Sequence, residues 1–349
     1  MKKYIFINDT STQNNWGCHS TSHHFEKFFE ERRIQCAGKI YLRDLHSTNN
    51  TINISNNINL TGVDYIFVNG EGSIYDNQPK GLNMLKSIKI LKRRKPSIKV
   101  LLVNSTFDIS DRFVAMKKEL ESLKGQVSLY GPREHTSFKN LMDLGFNNCY
   151  IQPDFLYKAA NENIVKNNNI LVIGGNSNYY RGDRRPYDAA RAYEEVIKEI
   201  NRKFDYEIVL YSSDKSDYRY MPELSKRLNL KHVGCNDLNW KAGLDILSKA
   251  RISISGRYHP SIMSLCGLTP CYFISANNCK MEGTHNFFYK EDDNFSNSHQ
   301  FLEDKDKIIN WIHKVESDYE VEQEKVKHGI QNIKKNMEIF SRKISEVLE

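Results

Sequence analysis

The sequence predicts an α/β protein made of two Rossmann-like domains facing each other across a cleft, followed by a helical segment. Three observations predict it. Runs rich in Val, Ile, Leu and Phe alternate with amphipathic helical stretches, the pattern of parallel, doubly wound sheets. A polar, Asn-rich stretch, Asn161–Asn169, splits that alternation into two series of roughly 150 residues each, an ordinary domain size. From Phe301 to Glu349 the strand signal is absent. The expected division is therefore 1–160, 161–300 and 301–349.

In the first series Tyr4–Ile7 reads as a strand and His19–Arg33 as a helix with Phe25, Phe28 and Phe29 on one side. Ser47–Asn59, with six Asn, reads as a long loop or a poorly ordered insert. Val63–Asn69 is a strand that runs into Asn69-Gly70-Glu71-Gly72-Ser73. Lys80–Arg94 is a helix stopped before Pro96, Ile98–Val103 a strand, Arg112–Leu123 a helix and Val127–Tyr130 a short strand. Glu134–Leu144 is a helix with Gly145 just past its end, where a left-handed residue is favoured. Cys149–Gln152 closes this half.

The second series runs through strands Ile170–Gly174, Tyr206–Tyr211, Lys231–Val233, Ile252–Ser255 and Cys271–Ile274. Between them lie helices Tyr187–Lys203, Met221–Leu228, Leu238–Lys249 and Pro260–Cys266. Ligands of such sheets bind beyond the C-terminal ends of the strands. In the last section Val326, Ile330, Ile333, Met337, Phe340, Ile344 and Val347 recur in steps of four and three, a seam with a period of about 3.5 residues. That seam fits a helix packed on the protein's own body, and equally a dimer contact.

Composition narrows the function. With 39% hydrophobic and 27% charged residues the chain is not disordered. Lys and Arg number 50 against 43 Asp and Glu, a net charge of +7. The cations read as interspersed with acids, which argues against a nucleic-acid binder and suits an anionic small substrate or a loose attraction to a membrane surface. No stretch approaches the roughly 20 apolar residues needed to span a bilayer. The N-terminal apolar run stops at Asn8-Asp9, short of a signal segment, so the expected location is cytoplasmic, at most at the inner face of the membrane. Seven cysteines with no Cys-x-x-Cys pair argue against a disulfide framework or a zinc ribbon. His19 and His23 lie four apart on one helix, but no Glu-x-x-His or Cys partner accompanies them, so a surface role is expected and no metal.

The most informative stretch is Ile252-Ser-Ile-Ser-Gly256-Arg257-Tyr258-His259-Pro260. A buried strand ends at Gly256, and Arg257 and His259 sit where the next helix starts. A helix start offers N–H groups and positive potential, and an Arg there adds a bidentate anion fork. A His beside it exchanges protons near neutral pH. The same residues also fit a structural role, Arg pairing with an acidic neighbour and His capping the helix. Arg181, Arg184 and Arg185 form a second cluster after the Gly174-Gly175-Asn176 loop, which can cradle phosphate through its backbone.

The Gly-Arg-x-His stretch, with the small and apolar helix, Gly267 and Pro270 that follow it, resembles the signature of the polysaccharide pyruvyl transferase family. Other segments resemble that family in the same order. They are Asn15-Trp16-Gly17, then Asn69-Gly70-Glu71-Gly72-Ser73 with Asp76, then Arg133-Glu134-x-x-Ser137, Pro153-Asp154, and Lys280-Met281-Glu282-Gly283. The similarity covers most of residues 1–285. It departs from the family in having Asn-Gly-Glu-Gly instead of a glycine triplet, and Cys18-His19 where many members carry an acidic residue.

The resemblance implies a GT-B-like pair of domains and transfer of pyruvate from phosphoenolpyruvate to a glycan or lipid-linked saccharide, as a cyclic ketal, with no cofactor. On it, Arg133 and Arg257 hold the donor from the two halves of the chain, which requires a ligand in the cleft. His259 is the proton donor and Lys280 a third cation. Glu71 or Asp76 handles an acceptor hydroxyl, Asn15, Trp16, Gly17 and Gly72 line the acceptor side, and Glu282 and Arg181 are further binding residues. For Arg133 the structural alternative is that Glu134, at the helix start that follows, simply caps or pairs with it. Two other functions compete: a GT-B-type glycosyltransferase using a nucleotide-activated sugar, and a non-catalytic glycan- or partner-binding protein. The oligomeric state, including a homodimer, stays open.

Overall fold

The computed structural model of the chain describes residues 1–48, 51–53, 58–109, 113–176, 189–290 and 292–349. They divide into two compact units. The first comprises Met1–Thr12, Thr21–Phe155 and Lys334–Glu349, and the second comprises Gln13–Ser20 and Leu156–Ile333. The eight residues Gln13–Ser20 thus join the second unit, and the C-terminal sixteen join the first, which a linear division does not anticipate.

In chain order the first half holds β1 (Lys3–Ile7), α1 (Trp16–Glu31), β2 (Gln35–Ile40), β3 (His46–Thr48), β4 (Thr51–Asn53), β5 (Tyr65–Tyr75), α2 (Pro79–Arg94), β6 (Lys99–Asp108), α3 (Val114–Glu121), β7 (Leu129–Pro132) and α4 (His135–Asp143). The second half holds β8 (Asn167–Asn176), α5 (Ala189–Lys203), β9 (Glu207–Ser212), α6 (Met221–Leu228), β10 (Lys231–Gly234), α7 (Trp240–Lys249), β11 (Ala250–Gly256), α8 (Tyr258–Leu265), β12 (Cys271–Ile274), α9 (Lys280–Phe288), β13 (Phe295–Ser296), α10 (Lys305–Ser317) and α11 (Tyr319–Leu348).

The first unit is built on a parallel sheet of order β2-β1-β5-β6-β7. One face carries a core of aliphatic residues from the strands, α2 and α3, including Val68, Met84, Ile88, Leu102 and Leu120. The other face is aromatic: Tyr4, Phe6 and Phe67 pack against Phe25, Phe28 and Phe29, with Tyr4 and Phe29 centroids 3.9 Å apart. Phe340, Ile344 and Leu348 of α11 complete that face, and Val326, Ile330 and Ile333 are fully buried as well. The C-terminal seam is therefore covered by the protein's own body. In α4, Glu134 caps the helix by accepting from the Ser137 amide at 2.7 Å.

Two sequence expectations are revised here. β5 does not stop at Asn69; it continues to Tyr75 past a register shift between Glu71 and Ile74, because Glu71 adopts a left-handed φ of 42° and absorbs the shift. Within the expected loop Ser47–Asn59, β3 and β4 pair as a short antiparallel hairpin.

The second unit is built on a parallel sheet of order β10-β9-β8-β11-β12-β13. Its core includes Leu171, Ile197, Leu210 and Ile254, together with Ile308, Trp311 and Ile312 of α10. In each sheet the chain runs outward from a central strand, β1 or β8, then returns to the other side through β5 or β11. Those reversals are the places where open α/β sheets bind ligands. Among the described residues no helix is long and apolar enough to cross a membrane. None of the seven cysteines forms a disulfide.

Candidate active site

The reversal of the second sheet lies between β8 and β11, and the Gly-Arg-x-His stretch stands at it. Arg257 precedes α8 in an extended conformation, and no side chain caps that helix. Tyr258 and His259 open the helix, with Pro260 still in the first turn, where a missing N–H costs nothing.

Arg257 is held along one edge. Its Nε and Nη2 both donate to Asp217 Oδ1, at 2.9 and 2.6 Å, and Nη2 also donates to Ser216 Oγ at 2.5 Å. Asp214 Oδ1 lies 3.8 Å away. Asp217 is fully buried, and its second oxygen accepts from the backbone N–H groups of Ser213 and Asp214. Burial alone would raise the Asp214 carboxyl, but Arg257 and the hydrogen bonds from Ser216 and Asn15 outweigh it and hold the group below its ordinary value. Burial opposes the charge on Arg257 too, and the two carboxylates more than offset that, so the guanidinium is firmly cationic. Among the described residues its Nη1 makes no hydrogen bond. The structural reading of Arg257 is met, since it pairs with an acid along its inner edge.

The Asn-Trp-Gly segment belongs to the same unit. Asn15 forms an antiparallel bridge with Asp214 and donates from Nδ2 to its Oδ2 at 3.0 Å. Its Oδ1 accepts from the Gly17 and Cys18 amides at 2.9 and 3.2 Å, starting α1. Gly17 then runs against the half-buried His259, whose ring leaves no room for a Cβ there. Trp16 departs from expectation. It is 1% exposed, donates from Nε1 to the Leu238 carbonyl at 2.8 Å, and packs against Gly243 and the Tyr211 ring. A sugar has no access to that face; Trp16 anchors the segment instead.

Gly174 and Gly175 each answer a packing need. A Cβ on Gly174 would strike the Tyr211 ring at 2.1 Å, and one on Gly175 would strike Asp217 Oδ1 at 2.0 Å. The glycines make room for the support of Arg257. Arg181, Arg184 and Arg185 lie outside the described residues. Lys280 opens α9 and donates to Asn277 Oδ1 at 2.6 Å, and Glu282 lies half-buried in the same first turn.

In the first unit, Arg133 is 1% exposed. Its Nη1 donates to Asp154 Oδ2 at 3.3 Å, and Nη2 and Nε donate to Thr106 Oγ1 at 2.8 and 3.2 Å. Its salt-bridge partner is Asp154, while Glu134 takes the capping role. At the β1–β5 reversal, Glu71 Oε1 accepts from Thr10 Oγ1 at 2.8 Å and Asn69 Nδ2 at 3.1 Å. A left-handed backbone at a glutamate is strained, and such strain concentrates at functional positions. Gly72 lies next to it within β5, and Asp76, also left-handed with φ 55°, turns the chain toward α2. Asp217, Asp214 and Ser216 were missed by sequence reasoning; the closely spaced acids after β9 were the available signal.

Two parallel Rossmann-like units, each with polar residues at its sheet reversal, define a protein of the GT-B-like fold class. A profile of the polysaccharide pyruvyl transferase family matches residues 14–278, and the chain belongs to that family. Among solved structures it is similar to the Anabaena protein HepE in complex with UDP and glucose, at 10% identity and a TM-score of 0.58, covering 100% of this chain and 99% of that one. It is similar to Staphylococcus aureus MnaA with UDP, at 10% identity and a TM-score of 0.56, covering 95% and 91%. It is also similar to UDP-GlcNAc 2-epimerase from Methanocaldococcus jannaschii, at 14% identity and a TM-score of 0.55, covering 90% and 92%. These likenesses concern the fold. A comparison with curated proteins gives no match.

Proposed function

We propose that the chain transfers the enolpyruvyl unit of phosphoenolpyruvate to a sugar of a surface-polysaccharide precursor and closes it as a pyruvate ketal. The observation that carries this reading is the β11–α8 turn. There a guanidinium locked on one edge by Asp217 keeps Nη1 without a hydrogen bond among the described residues, at a helix start that no side chain caps. That combination suits an anion.

Phosphoenolpyruvate carries a phosphate and a carboxylate, and Arg257 is partly neutralised by two aspartates, so a second cation is required. Lys280 supplies it in the same unit; Arg133, 1% exposed and bonded to Asp154 and Thr106 in the first unit, is assigned no contact with the donor. Protonated His259 gives its proton to C3 of the enol, which becomes a methyl group and leaves C2 electrophilic. One sugar hydroxyl adds to C2 and loses its proton. Phosphate leaves with the C–O electron pair, and a second hydroxyl adds to the same carbon. One donor and one diol give one ketal and one phosphate; of the two hydroxyl protons, one replaces that given by His259 and the other leaves with phosphate. Glu71, fixed through one oxygen by Thr10 and Asn69, is assigned to an acceptor hydroxyl, with Gly72 and Asp76 beside it.

Incubation with phosphoenolpyruvate and a panel of saccharides tests the reading. Phosphate release matched one-to-one by a new ketal methyl signal in the proton NMR spectrum is expected. Consumption of a UDP-sugar instead, with no ketal, would assign the chain to glycosyl transfer.

A further inference from the structure

The positive charge of this chain is not spread evenly, contrary to the first reading of its composition. The segment 79–99 carries eight Lys and Arg residues and no Asp or Glu. Subtracting that +8 from the whole leaves every other residue together at −1.

Most of the segment is α2, whose inner residues Met84, Leu85, Ile88 and Leu91 are buried in the first unit's core. Lys80, Arg93 and Arg94 are exposed, and Lys86 and Lys89 half-buried. The helix dipole favours cations only in the last turn. Lys80 stands in the first turn and Lys86 in the middle, so the dipole does not account for them. Compensation is slight. Lys89 pairs with Glu119 at 2.5 Å. Lys92 and Lys95 donate to the backbone carbonyls of Ile98 and Val63, at 2.6 and 2.5 Å, which leaves their charge in place. Among the described residues no carboxylate pairs with Lys80, Lys86 or Arg93.

An exposed apolar residue lies near the start of this helix. Val114, the first residue of α3, is 52% exposed. It is tied to the start of α2, because the Met116 amide donates to Asn77 Oδ1 at 2.8 Å and the Met116 side chain closes on Gly81.

We infer that this face of the first unit docks on the surface of an anionic lipid bilayer. A basic, amphipathic surface helix is drawn to anionic headgroups, and an apolar side chain at its edge seats at the headgroup level. A nucleic acid or an acidic polysaccharide would answer the charge but gains nothing from Val114. The inference is independent of which donor the enzyme uses, so a failed ketal assay does not touch it.

The test is co-sedimentation of the full chain with vesicles of phosphatidylcholine alone, and of two parts phosphatidylcholine to one part phosphatidylglycerol. Binding is expected only to the anionic vesicles, and to fall when salt is raised to about 0.5 M. The triple variant K80Q/K86Q/R93Q is expected to lose about 100-fold in partitioning, while the control K231Q/K241Q keeps it. V114S is expected to weaken vesicle binding and leave binding to soluble heparin unchanged. Equal binding to neutral vesicles, or full binding by a folded triple variant, would overturn the inference. So would V114S behaving as wild type on vesicles, or a wild type that binds heparin but no vesicles; those results would point to a soluble polyanion.

Discussion

The His259 imidazole lies directly against the backbone of Gly17, so closely that a methyl group built on that glycine would fall 2.0 Å from Nδ1. Gly17 is held in turn by Asn15, and Asn15 by Asp214, whose neighbours Ser216 and Asp217 hold Arg257. One short segment near the N-terminus therefore sets the position of the proposed acid. Gly17→Ala must push the ring aside, and a displacement of about 1 Å costs on the order of 100-fold in rate. Turnover is expected to fall by that factor with phosphoenolpyruvate affinity little changed. Wild-type turnover in the variant would separate His259 from the chemistry.

Asp217→Asn removes the charge that orients Arg257 and leaves a buried guanidinium without its main partner. Breaking a buried pair costs about 3–5 kcal/mol. A clearly lower Tm and a raised KM for phosphoenolpyruvate are expected. Arg257→Lys should raise KM as well, because an ammonium cannot bond Asp217 along one edge and keep a second edge for the ligand. An unchanged KM in both variants would remove Arg257 from the donor site.

Trp16 separates anchoring from sugar binding. Its indole is buried against Gly243 and Tyr211, so Trp16→Ala should lower stability by about 3–5 kcal/mol. Chemical denaturation reads the loss. A variant of normal stability whose only defect is a raised acceptor KM would instead put the ring in the acceptor site.

Glu134 gives a pH dependence with a definite sign. Burial pushes its carboxyl up from 4.5 to about 7, against the pull of Ser137 and Arg133. A carboxyl raised by folding favours the protonated native state. That stability is fully present below about 4.5 and is lost as pH rises through about 7. Glu134→Gln keeps an acceptor for the Ser137 amide and cannot ionise. The wild-type Tm, followed from pH 5 to 8, should fall relative to that of the variant; parallel curves would show that Glu134 is already ionised.

Much of this was legible in the sequence, because strand and helix periodicities and the Arg257–His259 turn are local. α4 lies within the expected Glu134–Leu144, and α2 matches Lys80–Arg94 almost residue for residue. What was not legible is long-range. Nothing near Asn15 announces that its partner is Asp214, about 200 residues away. The extension of β5 past Gly70 was hidden because glycines signal a turn, whereas the left-handed residue here is Glu71. At Gly174-Gly175 the missing side chains accommodate Tyr211 and Asp217, neighbours the sequence did not announce. The cationic run of α2 was masked by averaging charge over the whole chain.

The central claim is that the β11–α8 turn receives phosphoenolpyruvate. The most direct measurement is the shift in Tm caused by phosphoenolpyruvate, set beside UDP- and CMP-sugars, for the wild type, Arg257→Met and His259→Ala. Stabilisation of the wild type and His259→Ala by phosphoenolpyruvate alone, absent in Arg257→Met, is the predicted result. Stabilisation only by a nucleotide sugar, or an undiminished phosphoenolpyruvate shift in Arg257→Met, would contradict it.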